Sequence, residues 1–240
     1  VIPDSEIERA LVITAHPDDL DFGASGTVAT WVKAGIEVSY CICTNGDAGG
    51  FDPTVPRHEI PGIRQAEQRA AGEAVGVTDI HFLNYHDGRL EVTHDLRRDI
   101  SRVIRQVRPQ RVLCQSPEWD WTNVAISHPD HRAAGEAAMC AVYPDARNPF
   151  AHPELIMEEG REEWTVLETW VMSMERANHF VDISEVFGLK LNALFSHVSQ
   201  TEHAKDEIEE MIRKMNGEAA EQAGLPAGSM AEKFLVMSTA

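Results

Sequence analysis

The chain has 240 residues, with 21 Lys and Arg against 39 Asp and Glu for a formal charge of −18. That length supports a full α/β core, and the excess of negative charge repels phosphate backbones and anionic lipid surfaces, which argues against nucleic-acid and membrane partners. The sequence shows no apolar run of bilayer length and no charged-then-apolar leader pattern at its start, and Cys41, Cys43, Cys114 and Cys140 read as reduced thiols, so the expected compartment is the cytoplasm.

Ala10 to Ala15 is a β-branched apolar run that ends in a polar cluster, which predicts a buried strand. Ala24 to Lys33 predicts a helix closed by Gly35, and Glu37 to Thr44 a second strand. A long loop follows from Asn45 through Gly50, Pro53, Pro56 and Pro61, long enough to suggest a functional role. Ile63 to Val75 predicts a helix with Gly76 as its C-cap, and Asp79 to Leu83 a third strand. Leu96, Ile100, Val103, Ile104 and Val107 recur at helical spacing before the stop at Pro109. Arg111 to Gln115 predicts a fourth strand, and His131 to Val142 a helix with His128 to Asp130 at its mouth. Beyond a polar connection at 144–163, Thr165 to Ser173 and Phe180 to Ile183 read as strands. Ser184 to Ser196 and Glu202 to Lys214 read as helices, while the Gly/Ala/Glu-rich tail from Gly217 carries no readable element.

Strand and helix alternate four times. This predicts an α/β, Rossmann-like, mostly parallel sheet with helices on both faces. The expected layout is one domain over 1–240, with a core at about 10–143 and a C-terminal elaboration at about 144–240. Such sheets bind ligands beyond the carboxyl ends of their strands. His16-Pro17-Asp18-Asp19 directly follows the first strand and His128-Pro129-Asp130-His131 follows the fourth, so the two clusters share one edge. Catalytic zinc takes three protein ligands from His, Asp, Glu or Cys and leaves a position for water. His16 and Asp19, one short turn apart, can bend onto one ion, and His131 can supply the third ligand. Asp18 would then address the water rather than the metal. Taken alone, either cluster is ordinary loop composition, Asp130 could simply cap the following helix, and His128 could be a solvated loop residue.

Ala15-His-Pro-Asp-Asp19 together with Ser127-His-Pro-Asp-His131 resembles the PIG-L/LmbE-like zinc-dependent N-deacetylases, and the likeness extends through Gly23 to Gly26, Thr44 to Asp47, Arg64 with Glu67, Asp87-Gly88 and Ser196 to Gln200. The resemblance implies one Zn²⁺ on His16, Asp19 and His131, with Asp18 as general base. Fe²⁺ and Co²⁺ suit a similar donor set. It also implies protonated His128 as an acid or oxyanion stabiliser, Asp130 orienting a neighbouring His, and Arg64 and Asp87 on sugar hydroxyls, with Glu67 steadying Arg64. His197 could bind the substrate, standing in for a tyrosine that some relatives carry, or be structural. Trp119 and Trp121 are core packing or a platform beside the metal. The expected activity is N-deacetylation of an N-acetylglucosamine-type sugar or conjugate, a small-molecule partner, with a homo-oligomer allowed. Two alternatives stand beside it: an amidase acting on a thiol-sugar conjugate or another acylated amine, and a non-catalytic nucleotide- or metal-binding α/β module. The module rests on Gly23-Ala-Ser-Gly26, which lacks the full dinucleotide-loop spacing.

Overall fold

The computed structural model describes residues 1–121, 124–172 and 175–240. β1 (Arg9–Thr14) is buried from Ala10 onward because helices cover both of its faces. β2 (Glu37–Thr44), β3 (Asp79–Tyr85), β4 (Arg111–Gln115) and β5 (Glu168–Met172) extend the sheet in parallel. β6 (His179–Asp182) and β7 (Ala231–Ser238) complete a seven-stranded sheet of order β3-β2-β1-β4-β5-β7-β6, with β7 antiparallel to both of its neighbours.

α1 (Asp19–Gly23) and α2 (Ser25–Lys33) follow β1, α3 (Ile60–Val75) follows β2, α4 (His94–Val107) follows β3 and α5 (Pro129–Cys140) follows β4. α6 (Glu154–Met157) lies before β5, and α7 (Phe187–Phe195), α8 (Val198–Thr201) and α9 (Lys205–Gln222) separate β6 from β7. One face of the sheet buries Val12 and Tyr40 against Val28, Ala71, Leu194 and Ile212 of α2, α3, α7 and α9. The other buries Leu11, Ile13 and Cys41 against Ile100 of α4 and Ala134 and Ala138 of α5. The parallel core with two helical layers is therefore the predicted one.

Local chemistry explains the shifted boundaries. α3 starts at Ile60 rather than Ile63 because Pro61 occupies the first turn, where its missing N–H has no helical role. Gly76 closes it in the left-handed region at φ 86°. Thr93 caps α4 by accepting the Leu96 N–H at 3.1 Å. The strand predicted over Thr165 to Ser173 is found at Glu168–Met172, and Ser173 lies outside the described residues. α9 runs on to Gln222, and the unread tail supplies β7. The Ala-rich face of α5 also sits close to the sheet: a Cβ on Gly135 would fall 2.4 Å from the Gln115 carbonyl oxygen. Glycine there lets the first turns of α5 lie against the end of β4.

Candidate active site

β1 and β4 are hydrogen-bonded neighbours, with Ile13 opposite Cys114, so the loops leaving them begin side by side. The first carries His16 to Asp19, and the second delivers His128 as the N-cap of α5. His16 is the hinge between them. Its Nδ1 lies 3.2 Å from His131 Nε2 and 3.3 Å from Asp19 Oδ2, while His131 Nε2 is 3.0 Å from Asp19 Oδ1. Its Nε2 lies 3.1 Å from both Asp130 Oδ2 and Asp87 Oδ1. When Nε2–H donates to those carboxylates, Nδ1 keeps its lone pair.

The carboxylates are themselves held. Asp130 accepts the Gly88 and Leu90 N–H groups at 2.7 and 3.2 Å. Asp19 Oδ2 accepts the His16 N–H at 2.7 Å and the Gln115 side chain at 3.0 Å. Nδ1 of His128 accepts the Asp130 N–H at 3.2 Å, so its neutral ring presents Nε2–H. The rings of His16, His128 and His131 stand 5.0–5.1 Å apart. Among the described residues, His16 with His128 and His131, and His16 with Asp87 and Asp130, form clusters compact enough to hold a cation.

Asp18 sits beside this cluster in a conformation unusual for an L-residue, φ 97° and ψ −30°. Gln68 accepts its N–H at 2.9 Å and passes its own amide to Asp21 at 3.0 Å. Arg64 reaches the Pro17 carbonyl and donates to Asp18 Oδ2 at 3.0 Å. Thus Arg64, 3% exposed, is turned onto Asp18, and Glu67 is taken by Ser199 at 2.7 Å rather than by Arg64. His197, with no exposed surface, pairs with Asp21 at 2.8 Å. Asp47 accepts the Asp87 N–H at 2.9 Å and thereby steadies that loop. Trp119 and Trp121 stack at 5.6 Å, and Arg132 lies over Trp119 at 4.3 Å.

The family model described as GlcNAc-PI de-N-acetylase, PIG-L, matches residues 11–142. The chain belongs to the PIG-L family. It is 34% identical to diacetylchitobiose deacetylase of Thermococcus kodakarensis over 82% of this chain and 72% of that one. It is 35% identical to a Bacillus cereus protein named "Probable N-acetyl-alpha-D-glucosaminyl L-malate deacetylase 2", over 85% of this chain and 89% of the other. The solved N,N'-diacetylchitobiose deacetylase of Pyrococcus horikoshii, complexed with its inhibitor MPG, superposes with a TM-score of 0.88 at 28% identity, covering 98% of this chain and 85% of that one.

Electrostatics at this PIG-L site follow from the crowding of acids. Burial opposes a charge on His16, but Asp19, Asp130 and Asp87 outweigh it and push the imidazole up to about 12. The carboxylates demand positive charge at this point, and a proton or a metal cation both supply it. Burial raises Asp18 to about 6, against the pull of Arg64. Burial also raises Asp19, yet His131 and His16 hold it well below the usual carboxylate range. His128 is lowered by burial and then by the charges of His16 and His131. The family resemblance led us to expect protonated His128; its surroundings favour the neutral ring at pH 7.

Gln68, Asp21 and Gln115 escaped the sequence reading. Gln68 alone left a signal, four residues after Arg64 on one helical face. The glycine segment at 23–26 does not serve as a phosphate cradle. The Gly26 and Thr27 N–H groups at the start of α2 are taken by the Glu232 carboxylate at 3.1 and 2.7 Å, and Lys190 neutralises it at 2.7 Å. Among the described residues no helix is long and apolar enough to cross a membrane.

Proposed function

We propose that this chain is a metal-dependent N-deacetylase of N-acetylglucosamine-type sugars, with His16, Asp19 and His131 as zinc ligands. The observation that carries the reading is the 3.0–3.3 Å triangle of His16 Nδ1, His131 Nε2 and the Asp19 carboxylate. A tetrahedral ion with bonds of about 2.0–2.1 Å needs ligand atoms about 3.3 Å apart. The alternative cluster of His16, Asp87 and Asp130 fits less well, because both Asp130 oxygens accept backbone N–H groups, whereas the His16 N–H and Gln115 amide both fall on Asp19 Oδ2. That cluster instead resembles the carboxylate support that fixes a metal-binding imidazole in its tautomer. Nitrogen and oxygen donors of this kind also suit Fe²⁺ and Co²⁺.

When bound, the metal supplies a Lewis acid for the amide carbonyl and lowers the pKa of a water at its open position. Asp18, raised toward neutrality and pinned by Arg64, takes the proton of the attacking water. It then returns that proton to the leaving nitrogen as the C–N bond breaks, giving acetate and a free amine. His128 donates Nε2–H to the oxygen that gains negative charge, and Asp130 and Asp87 hold His16 in register. Arg64, Asp87 and His197 act through these neighbours as positioning residues; the burial of Arg64 and His197 and the Asp87 contact to His16 support this. Acetate release from N-acetylglucosaminyl glycosides, measured alongside metal content, tests the reading. Turnover by a metal-free chain overturns it.

A further inference from the structure

The cavity beside Asp18, Asp19 and His131 has a volume of about 740 Å³, and Met211 and Met215 of α9 are among its lining residues. Phe22 and Gly23 of α1 also line it. Asp21, one residue earlier on α1, is instead fully buried behind that wall, together with Gln68 of α3 and His197, the residue that precedes α8. No substrate reaches these three side chains, so whatever they contribute to the reaction passes through Asp18.

Asp18 needs such support. Its φ of 97° is one that L-residues resist, and a backbone of this kind persists only where its surroundings hold it. On one side its carbonyl oxygen accepts the Asp21 and Phe22 N–H groups at 2.8 and 3.2 Å. On the other its N–H is taken by Gln68 Oε1 at 2.9 Å. A glutamine amide has an oxygen end and a nitrogen end, and turning it over would set an NH2 group against the Asp18 N–H. The neighbour at the far end of Gln68 decides between the two. Asp21 Oδ2 lies 3.0 Å from Gln68 Nε2, and a carboxylate only accepts, so it demands the nitrogen end and leaves the oxygen for Asp18. His197 Nε2 lies 2.8 Å from the same Asp21 oxygen and holds that carboxylate in place. Thr201 in turn donates its N–H and hydroxyl to the His197 carbonyl at 3.0 and 2.9 Å.

We propose that Asp21, backed by His197, is a positioning residue for the reaction: its carboxylate selects the orientation of the Gln68 amide, and that amide holds the Asp18 main chain so that the Asp18 carboxylate meets the attacking water. The proposal rests on the reading of Asp18 as the general base of a deacetylase.

The test is a double-mutant cycle on the full, zinc-loaded chain, read by acetate release from the methyl glycoside of N-acetylglucosamine. Asp21→Leu, a change of similar shape, is expected to keep its zinc and its KM and to lose about tenfold in kcat, since a small displacement of a reacting group is costly. Asp21→Asn, whose carbonyl oxygen can still accept from Gln68, is expected to stay within about threefold of wild type. Asp21→Leu combined with Gln68→Leu is expected to be no slower than Gln68→Leu alone. Losses that multiply overturn the proposal, because the two residues then act independently. So does a KM that rises as kcat falls, or an Asp21→Asn chain as slow as Asp21→Leu. If Asp21→Leu does not fold, His197→Leu enters the same cycle, with a loss of about threefold expected beside native Gln68 and none in the Gln68→Leu background; a loss that persists in that background overturns the proposal. Hydrogen exchange at the Asp18 amide gives a readout without turnover. Faster exchange in Asp21→Leu or His197→Leu than in wild type supports the hold on Asp18, and unchanged exchange overturns it. If wild type releases no acetate while that contrast is seen, the deacetylase reading fails and the hold on Asp18 stands.

Discussion

On the side of the cavity formed by β1 and β4, Asp18, Asp19 and His16 are fixed by directional contacts of 2.9–3.1 Å from Gln68, Arg64, Gln115 and Asp130. On the side formed by α9, Met211 is about half exposed and contributes a flexible apolar surface. The first side must hold lone pairs and a carboxylate within a few tenths of an ångström, and hydrogen bonds do that. The second need only exclude water from carbon, which side chains of many shapes can do. The two sides thus differ in stiffness: directional hydrogen bonds on one, unbranched apolar side chains on the other.

Substitutions on the polar side should rank its residues by the size of their effect. His131→Ala removes a corner of the donor triangle. Loss of a Lewis acid worth several kcal/mol predicts a fall of roughly 10³-fold or more in turnover, with metal analysis showing depletion. A His131→Ala chain that keeps both metal and rate would break the ligand assignment. Asp18→Asn should keep the metal and lose about 10²–10⁴-fold in kcat, as removal of a general base does. Gln68→Leu tests whether the stiffness itself matters. It strands the Asp18 N–H and one Asp21 contact. We expect metal retention, an unchanged KM and a kcat lower by about tenfold, alongside about 1–3 kcal/mol of lost stability for the unpaired buried group; equal loss in KM would mark a merely structural role.

The smallest effect is a pH dependence behind the polar wall. Burial lowers His197, but its hydrogen bond to Asp21 and that carboxylate's charge outweigh burial and raise it. A histidine raised in the folded state contributes stability that is fully present below its unfolded value of about 6.5 and is lost as pH rises through the folded one. Melting temperatures of wild type and His197→Gln should therefore converge as pH rises. A gap that stays constant with pH would show that the pair does not titrate.

The parts legible in the sequence were those that depend on residue type and local order. Glu37–Thr44 and Arg111–Gln115 carry apolar β-branched runs and are strands over those same bounds. The two His/Asp clusters were legible because each follows such a strand. β7 was not, because it mixes Ala231 and Phe234, both buried, with charged Glu232 and Lys233, and follows a Gly-rich stretch. The supports of Asp18 were hidden for a different reason. Beyond its spacing from Arg64, Gln68 carries no chemical signature, yet α3 turns it inward and turns Glu67 toward Ser199.

The Glu232 carboxylate that closes the start of α2 joins positions 205 residues apart in the chain. α2 is made well before β7, so its Gly26 and Thr27 N–H groups lack this partner until β7 is made. Contacts of such long sequence separation are slow to form, and they make early segments dependent on late ones. A chain truncated before Ala231 would leave Lys190 buried without its counter-charge and α2 without its plug. β7 thus completes a core that β1 and α2 begin.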